Sequence, residues 1–241
     1  MKILSGKVKA PRRVMLYGTH GIGKSTWAAQ APGCVILNLE DGLNNIDCQR
    51  TEHILTLEGV HEALNWLMAS KHEFFSVAID SMDWLESMIH QTVATAAGKS
   101  SIADIGYGAG YKQSLVHWDK IMSKLEMLRS DRKMSVILLA HANVKRFESP
   151  DQDSYDRYQP ALHDTASAMW QEYCDEVFFA SYRVFVRKED QGFNKERTIA
   201  VDGNERYVRT QETAAVLAKN RLGLPPEIPF NWEAYQAYFP Q

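Results

Sequence analysis

The stretch VMLYGTHGIGKST, residues 14–26, decides which fold we expect for this chain. Four apolar residues lead into a loop with three glycines and a lysine, and a helix-compatible sequence follows. Glycine lets the backbone turn sharply and leaves room for an anion beside its N–H groups. We therefore expect a strand, a tight phosphate-binding loop and a helix, with Lys24 reaching the outer phosphate groups.

The loop satisfies G-x-x-x-x-G-K-[ST], the P-loop pattern, in the strand–loop–helix setting that this pattern requires. It predicts ATP and Mg²⁺ as cofactors, with Lys24 against the β- and γ-phosphates and the Ser25 hydroxyl on the metal. The residues predicted to contact the nucleotide are Gly18, Thr19, His20, Gly21, Ile22, Gly23, Lys24, Ser25 and Thr26. The alternative is a glycine-rich turn without a ligand.

The bulk composition fits one α/β domain, or one domain with a small appendage. The chain has 241 residues, of which 45% are apolar, and its net charge of −3 indicates no particular partner. The N-terminal residues show neither a signal peptide nor a membrane span, so we expect an intracellular protein. Three scattered cysteines and eight scattered histidines do not predict a metal cluster.

Apolar runs typical of buried strands alternate with amphipathic helical patterns along most of the chain. The predicted strands are residues 13–18, 34–39, 74–80, 135–140 and 176–182, and the predicted helices are 60–70, 82–97, 110–130 and a short one within 224–239. The alternation predicts a mostly parallel sheet with helices on both faces.

Loops and a hairpin complete the expected fold. Residues 98–110 and 143–160 are predicted to be loops, and RVFVRK (183–188) and RTIAVD (197–202) are predicted to form a β-hairpin with a glycine turn. We expect a single domain over 1–241, with a core of about 12–182 and a C-terminal hairpin and tail over about 183–241.

A P-loop needs a second carboxylate to hold the metal, at the end of a buried strand. The strand FFSVAID ends at Asp80, which we predict to hold Mg²⁺ together with Ser25. The alternative is a strand that simply ends in an aspartate before a helix cap at Ser81.

Hydrolysis also needs a group that orients or deprotonates the attacking water. In AAA-type ATPases this group is a glutamate directly after the metal aspartate, and here that position is Ser81. The strand after the P-loop helix is followed by Glu40 and Asp41, and the carboxyl ends of neighbouring parallel strands meet at the phosphate site. Glu40 is therefore the predicted base. Alternatively, Glu40 or Asp41 only complements the dipole at a helix N-terminus.

The chain has a P-loop, a base on the next strand and no Asp-Glu pair. In this combination it resembles RecA-type ATPases. The chain is more closely similar to the short phage and prophage ATPases of the Sak type, from about Arg13 to Pro226. The similar segments are VMLYGTHGIGKSTWAAQAP, LNLEDGLNN, VAIDSMDWLE, IADIGYGAGY, LLAHANVKRFESPDQDSYDRYQPALHD and AKNRLGLP. The resemblance implies a RecA-like core without RecA's flanking domains, acting in DNA recombination by single-strand annealing or strand exchange.

The resemblance also assigns roles to the region after the fourth core strand. His141 lies where RecA-type proteins place a polar residue, usually glutamine, that senses the γ-phosphate; a hydrogen-bonded core histidine is the alternative. The next loop matches the second DNA-binding loop, and its basic and aromatic side chains suit single-stranded DNA: Lys145, Arg146, Phe147 and Arg157. Acidic residues nearly cancel its charge, so a solvated loop is the alternative there.

Lys219 and Arg221 alternate along a segment that is expected to be extended, so both would point the same way. Hexameric RecA-core helicases carry a similar Lys-x-Arg, which reaches the γ-phosphate of the neighbouring subunit. The resemblance therefore implies that Lys219 and Arg221 act in catalysis between protomers. The alternative is a pair of solvated side chains on an edge strand.

These features predict a DNA-stimulated ATPase that acts on single-stranded DNA as a homo-oligomeric ring or filament. The implied setting is the cytoplasm of a bacterial host, without a membrane partner and with a single-strand-binding protein as a further partner. Two other functions stay open, a hexameric helicase-like translocase and a nucleotide-switched scaffold with slow turnover.

Overall fold

The strand before the glycine-rich loop lies inside a large sheet, with other strands on both sides. The computed structural model describes residues 3, 5–6, 8–149, 153–190 and 196–240, with the backbone alone at 184–190 and 196–202. Within these residues the strands are β1 Arg13–Gly18, β2 Cys34–Asn38, β3 Gln49–Arg50, β4 Ser76–Asp80, β5 Ser135–Phe147, β6 Tyr155–Pro160, β7 Glu176–Asp190, β8 Glu196–Arg209, β9 Lys219–Asn220 and β10 Glu227–Pro229. The helices are α1 Lys24–Ala29, α2 Leu57–Ala69, α3 Met82–Ala96, α4 Ala109–Asp131, α5 Asp164–Tyr173 and α6 Trp232–Gln236.

The strand order gathers the carboxyl ends of the parallel strands at one edge. The order is β10-β8-β7-β1-β5-β4-β2-β3, in which β1 is parallel to both β5 and β7, and β4 lies between β5 and β2. Within the described chain, β6, β8, β9 and β10 are antiparallel to their partners. This confirms the predicted α/β fold with a mostly parallel core, and it brings the residues after β1, β2 and β4 together.

Helices cover both faces of the sheet because the strand residues alternate between two cores. Met15, Leu37 and Ile79 belong to the core under α2, α3, α4 and α5. Leu16 and Ile36 belong to the opposite core, where Trp27 of α1 packs edge-on against Trp232 of α6. Continuous burial along β1, β2 and β4 explains their unbroken apolar runs.

The prediction of a loop over 143–160 was wrong. Strand β5 continues to Phe147, and β6 pairs with it antiparallel from Ala142↔Pro160 to Phe147↔Tyr155. The last partner of β5 in the main sheet is Gly18, opposite His141, so the strand leaves the sheet there and continues with β6 alone. Charged residues suit such a two-stranded ribbon because the face with Val144, Arg146, Asp156 and Tyr158 is open to solvent, and these charges hid the strand pattern.

The predicted C-terminal hairpin forms, but its arms are extensions of the main sheet. Strand β7 runs from the parallel core into an antiparallel pairing with β8, with an irregularity between Tyr182 and Val184. Residues 191–194 of the predicted glycine turn lie outside the described residues. The predicted 98–110 loop contains two short 3-10 turns, and the tail forms β10 before α6.

No helix in the described part of the chain is long and apolar enough to cross a membrane.

Candidate nucleotide-binding site

The glycine-rich loop connects β1 to α1 and contains two left-handed residues. Gly21 has φ +72° and Gly23 has φ +100°, backbone angles that residues with a side chain rarely adopt. Gly18 is needed for a reason that the sequence did not suggest. A Cβ at Gly18 would lie 2.6 Å from the carbonyl oxygen of Ala180, so this glycine allows β1 to pack against β7.

Lys24 lies across the loop, and its side chain is bonded to the loop backbone. Its Nζ donates to the carbonyl oxygens of Gly18 at 3.3 Å and Thr19 at 3.2 Å, and the residue is only 6% exposed. Burial lowers the pKa of the Lys24 ammonium, an effect that the carboxylates of Asp80 and Glu40 oppose. The cation is therefore held inside the loop, among the carboxylates that end the neighbouring strands.

Asp80 and Ser25, the two residues predicted to hold Mg²⁺, lie in direct contact. The Ser25 hydroxyl donates to Asp80 Oδ2 at 2.6 Å, although the two residues belong to different elements. Burial raises the pKa of the Asp80 carboxyl, and the bond from Ser25 opposes this rise. A hydroxyl and a carboxylate are hard oxygen ligands and therefore fit Mg²⁺.

Glu40 lies just after β2, next to the end of β4. The Leu39 N–H donates to the Asp80 carbonyl oxygen at 2.9 Å, which fixes this segment beside the Asp80 strand. No helix begins here, since α2 starts only at Leu57, so the alternative role at a helix N-terminus is excluded. Among the described residues, the Glu40 carboxylate contacts His141, with Oε1 3.6 Å from Nε2.

Asp83, which the sequence did not single out, contacts both the ring and the backbone of His141. Its Nδ1 lies 2.8 Å from Asp83 Oδ2, and its backbone N–H donates to Asp83 Oδ1 at 3.0 Å. Burial raises the pKa of the Asp83 carboxyl, but the bonds from His141 outweigh it and keep this pKa below its usual value. His141 is therefore a buried, hydrogen-bonded residue that also faces Glu40, and its role at the γ-phosphate stays a prediction.

His20, in the P-loop, completes this group. Its ring stacks on the His141 ring with centroids 3.8 Å apart. The candidate ligand atoms of His20, Glu40 and His141 lie within 4.8 Å of one another. The scattered histidines did not predict this cluster, because its members come from three separate strand ends. Asp83 was missed for a related reason, since an acid in the first turn of a helix is ordinary.

A comparison with known protein families matches this region to one of them. A family model described as AAA domain covers residues 10–222. The chain belongs to this AAA domain family. Membership implies a P-loop ATPase that binds and hydrolyses nucleotide. A search among curated proteins found no match.

The AAA domain of this chain carries Ser81 directly after Asp80, where AAA-type ATPases would have their glutamate. Two other carboxylates lie beside His141. Both oxygens of Asp83 are bonded to His141, whereas Glu40 makes no hydrogen bond among the described residues. Glu40 is therefore the carboxylate of this pair that is free to bind a water molecule.

The predicted DNA-contact residues of the AAA domain lie on the β5–β6 ribbon. Lys145 Nζ donates to Asp164 at 2.6 Å, and Arg157 pairs with Glu212. The Arg157 guanidinium also lies 5.4 Å from the centre of the Phe147 ring. Arg146 is different, because its side chain is 65% exposed and its only described carboxylate contact is Glu148 at 3.6 Å.

Lys219 and Arg221 lie near the amino-terminal ends of the parallel strands, whereas the P-loop of the same chain follows the carboxyl end of β1. Strand β9 pairs with the start of β7, at Val177 and Glu176. Lys219 Nζ donates to three carbonyl oxygens at the end of α5, those of Gln171, Glu172 and Cys174. The Arg221 side chain is 54% exposed and lies 3.4 Å from Asp175. A role at the phosphates of a neighbouring subunit stays a prediction for both.

Proposed function

We propose that this AAA domain protein is a Mg²⁺-dependent ATPase of the RecA type that acts on single-stranded DNA in phage-type homologous recombination. The observation that carries the ATPase part is the Ser25–Asp80 bond beside the buried Lys24, with Glu40 facing His141 at the next strand ends. The proposal places the protein in the cytoplasm of a bacterial host, as a homo-oligomer that resembles the Sak-type ATPases.

In this proposal the loop N–H groups and Lys24 hold the phosphates, while Ser25 and Asp80 hold Mg²⁺. When bound, Mg²⁺ neutralises charge on the β- and γ-phosphates. Glu40 orients the attacking water and accepts its proton, and Asp83 fixes the His141 ring beside Glu40. Because β5 carries both His141 and the ribbon, a change at the nucleotide can reach the proposed DNA surface through one strand.

The Glu40→Gln variant is expected to bind ATP normally but to hydrolyse it roughly a hundredfold more slowly, the range for a lost general base. An amide keeps the shape of the side chain but cannot accept the proton. Nucleotide titration and steady-state phosphate release measure the two effects separately.

Asp41→Asn is the matched control, because Asp41 is the adjacent acid and its side chain is exposed. This control should hydrolyse ATP at the wild-type rate. Unchanged turnover in Glu40→Gln would show that the base is another residue.

Support for a DNA-binding role comes from exposed aromatic and cationic groups on one part of the molecule. Phe147 and Tyr158 of the ribbon are partly exposed, and the Tyr107 side chain is fully exposed in a turn with φ +56°. Tyr111, four residues later, stacks on His163 just after β6, with ring centres 4.0 Å apart. Exposed rings beside cations suit the stacked bases and phosphates of a single strand.

Arg146→Ala is expected to weaken oligonucleotide binding and to reduce the salt dependence of log Kd by about one, the contribution of one phosphate contact. Lys145→Ala and Arg157→Ala should reduce it less, because both cations already pair with carboxylates of the chain. Binding titrations at several salt concentrations measure the slope, with the exposed Lys71→Ala as control. An equal slope for Arg146→Ala and wild type would place the DNA surface elsewhere.

Phosphate release with and without single-stranded DNA separates the proposed function from a nucleotide-switched scaffold. A DNA-stimulated rate is expected here, whereas a scaffold would stay slow in both conditions. Electron micrographs that show closed rings rather than filaments would favour the helicase-like alternative.

A further inference from the structure

Arg206 of β8 contacts the backbone of the P-loop, although it is distant from the loop in sequence. Its Nη1 donates to the Ile22 carbonyl oxygen at 3.1 Å, and its guanidinium lies 5.2 Å from the centre of the Phe230 ring. A Cβ at Gly23 would lie 2.7 Å from this Nη1 and 3.4 Å from Phe230 Cε1. Gly23 therefore leaves the space that the arginine occupies.

The charge of Arg206 has no carboxylate partner among the described side chains. Its neighbours on the same two strands differ in this respect. Arg183 pairs with Glu205 and Glu227, and Arg209 lies 3.7 Å from Glu227. The only described hydrogen bond of the Arg206 side chain is the one to the P-loop, and the nearby Phe230 ring gives its guanidinium a cation–π contact.

The bond to Ile22 has a geometric consequence for the next N–H group. In a trans peptide the C=O of one residue and the N–H of the following residue point in opposite directions. A donor that holds the Ile22 carbonyl therefore also fixes the Gly23 N–H, which points away from Arg206. The N–H groups of a P-loop are the groups that it presents to phosphate.

We propose that Arg206 is a positioning residue for the phosphate loop, which fixes the Ile22–Gly23 peptide and adds a positive charge behind it. The proposal rests on the proposed nucleotide binding and extends it to a residue of the β7–β8 hairpin. Strand β8 pairs Arg206 with Tyr182 of β7, just beyond the parallel core. The hairpin and the nucleotide site are thus joined by one side chain.

Arg206→Ala should raise the Kd for Mg-ATP and for Mg-tripolyphosphate by the same factor, roughly tenfold, as expected for the loss of a charged hydrogen-bond donor. Tripolyphosphate lacks the nucleoside, so equal losses show an effect on the phosphate loop. In the nucleotide-free protein, amide hydrogen exchange over residues 19–24 should become faster while exchange in β4 stays unchanged. Arg209→Ala is the matched control, and Arg206→Lys should lie closer to wild type because it keeps a charged donor.

Three results would overturn the proposal. These are unchanged Kd values for both ligands, unchanged exchange at the loop, and weaker binding of ATP alone, which would mean that Arg206 contacts the nucleoside. Failure of the proposed nucleotide binding would look different. Wild-type protein would then bind neither ligand, while the exchange of residues 19–24 in Arg206→Ala would still report on the bond to Ile22.

Discussion

Lys24→Ala is expected to abolish ATP binding and turnover. In the free protein the ammonium group is buried within the loop and bonded to the Gly18 and Thr19 carbonyl oxygens, so it is already placed where the phosphates bind. It is the single lysine or arginine of the loop sequence, and alanine would remove its positive charge from among the carboxylates of Asp80 and Glu40. Calorimetric titration with Mg-ATP and phosphate release measure both losses.

Lys120→Ala is the control for this variant, because it removes an exposed lysine of α4 that lies far from the loop in sequence. Its ATP affinity should equal that of wild type. Wild-type phosphate release by a folded Lys24→Ala protein would refute the assignment of the nucleotide site.

Arg221→Ala is expected to bind ATP normally but to lose on the order of 10³ in turnover, as for other arginine fingers. The prediction concerns assembled protein. Arg221 lies at the end of the parallel strands opposite to its own P-loop, so we expect it to reach the phosphates of a neighbouring subunit. Its half-exposed side chain is available for this role. Lys219 is less so, since three carbonyl oxygens already hold its ammonium group.

Mixing two inactive variants tests whether the site is shared. An Arg221→Ala subunit has an intact P-loop, and a Lys24→Ala subunit has an intact Arg221, so a mixed interface can contain one complete site. Activity above that of the separate variants is expected. If the variants co-assemble and the mixture stays inactive, Arg221 is a structural residue of this end of the sheet.

The parallel core could be predicted from sequence because its information is local. Buried strands such as β1 and β4 are continuous apolar runs, and the P-loop identifies which strand begins the site. Asp80 and Glu40 followed from the rule that parallel strands end at one edge. The Ser25–Asp80 bond agrees with that rule.

The remaining parts of the site depend on contacts between distant segments, which carry no local signal. Asp83 resembles an ordinary helix-terminal acid until β5 brings His141 to it. Arg206 resembles any exposed arginine until β8 pairs with β7 beside the P-loop. The β5–β6 ribbon was missed because its side chains are as polar as those of a loop. Its strands are formed by backbone pairing between β5 and β6, which leaves no pattern in the sequence.

Strand β5 leaves the main sheet at His141, so the nucleotide site and the ribbon meet at this residue. Before His141, β5 pairs with β1 on one side and β4 on the other. After His141, β6 is its one strand partner among the described residues. The six residue-to-residue steps from His141 to Phe147 span about 20 Å at the ordinary rise of a strand. Strand β6 is also bonded to the segment after β8, since the Tyr158 N–H donates to the Ala215 carbonyl oxygen at 2.8 Å and the Leu217 N–H donates to the Tyr158 carbonyl oxygen at 3.0 Å. A movement of the His141 backbone on Asp83 would be passed along β5 toward the outer end of the ribbon, where Phe147 lies.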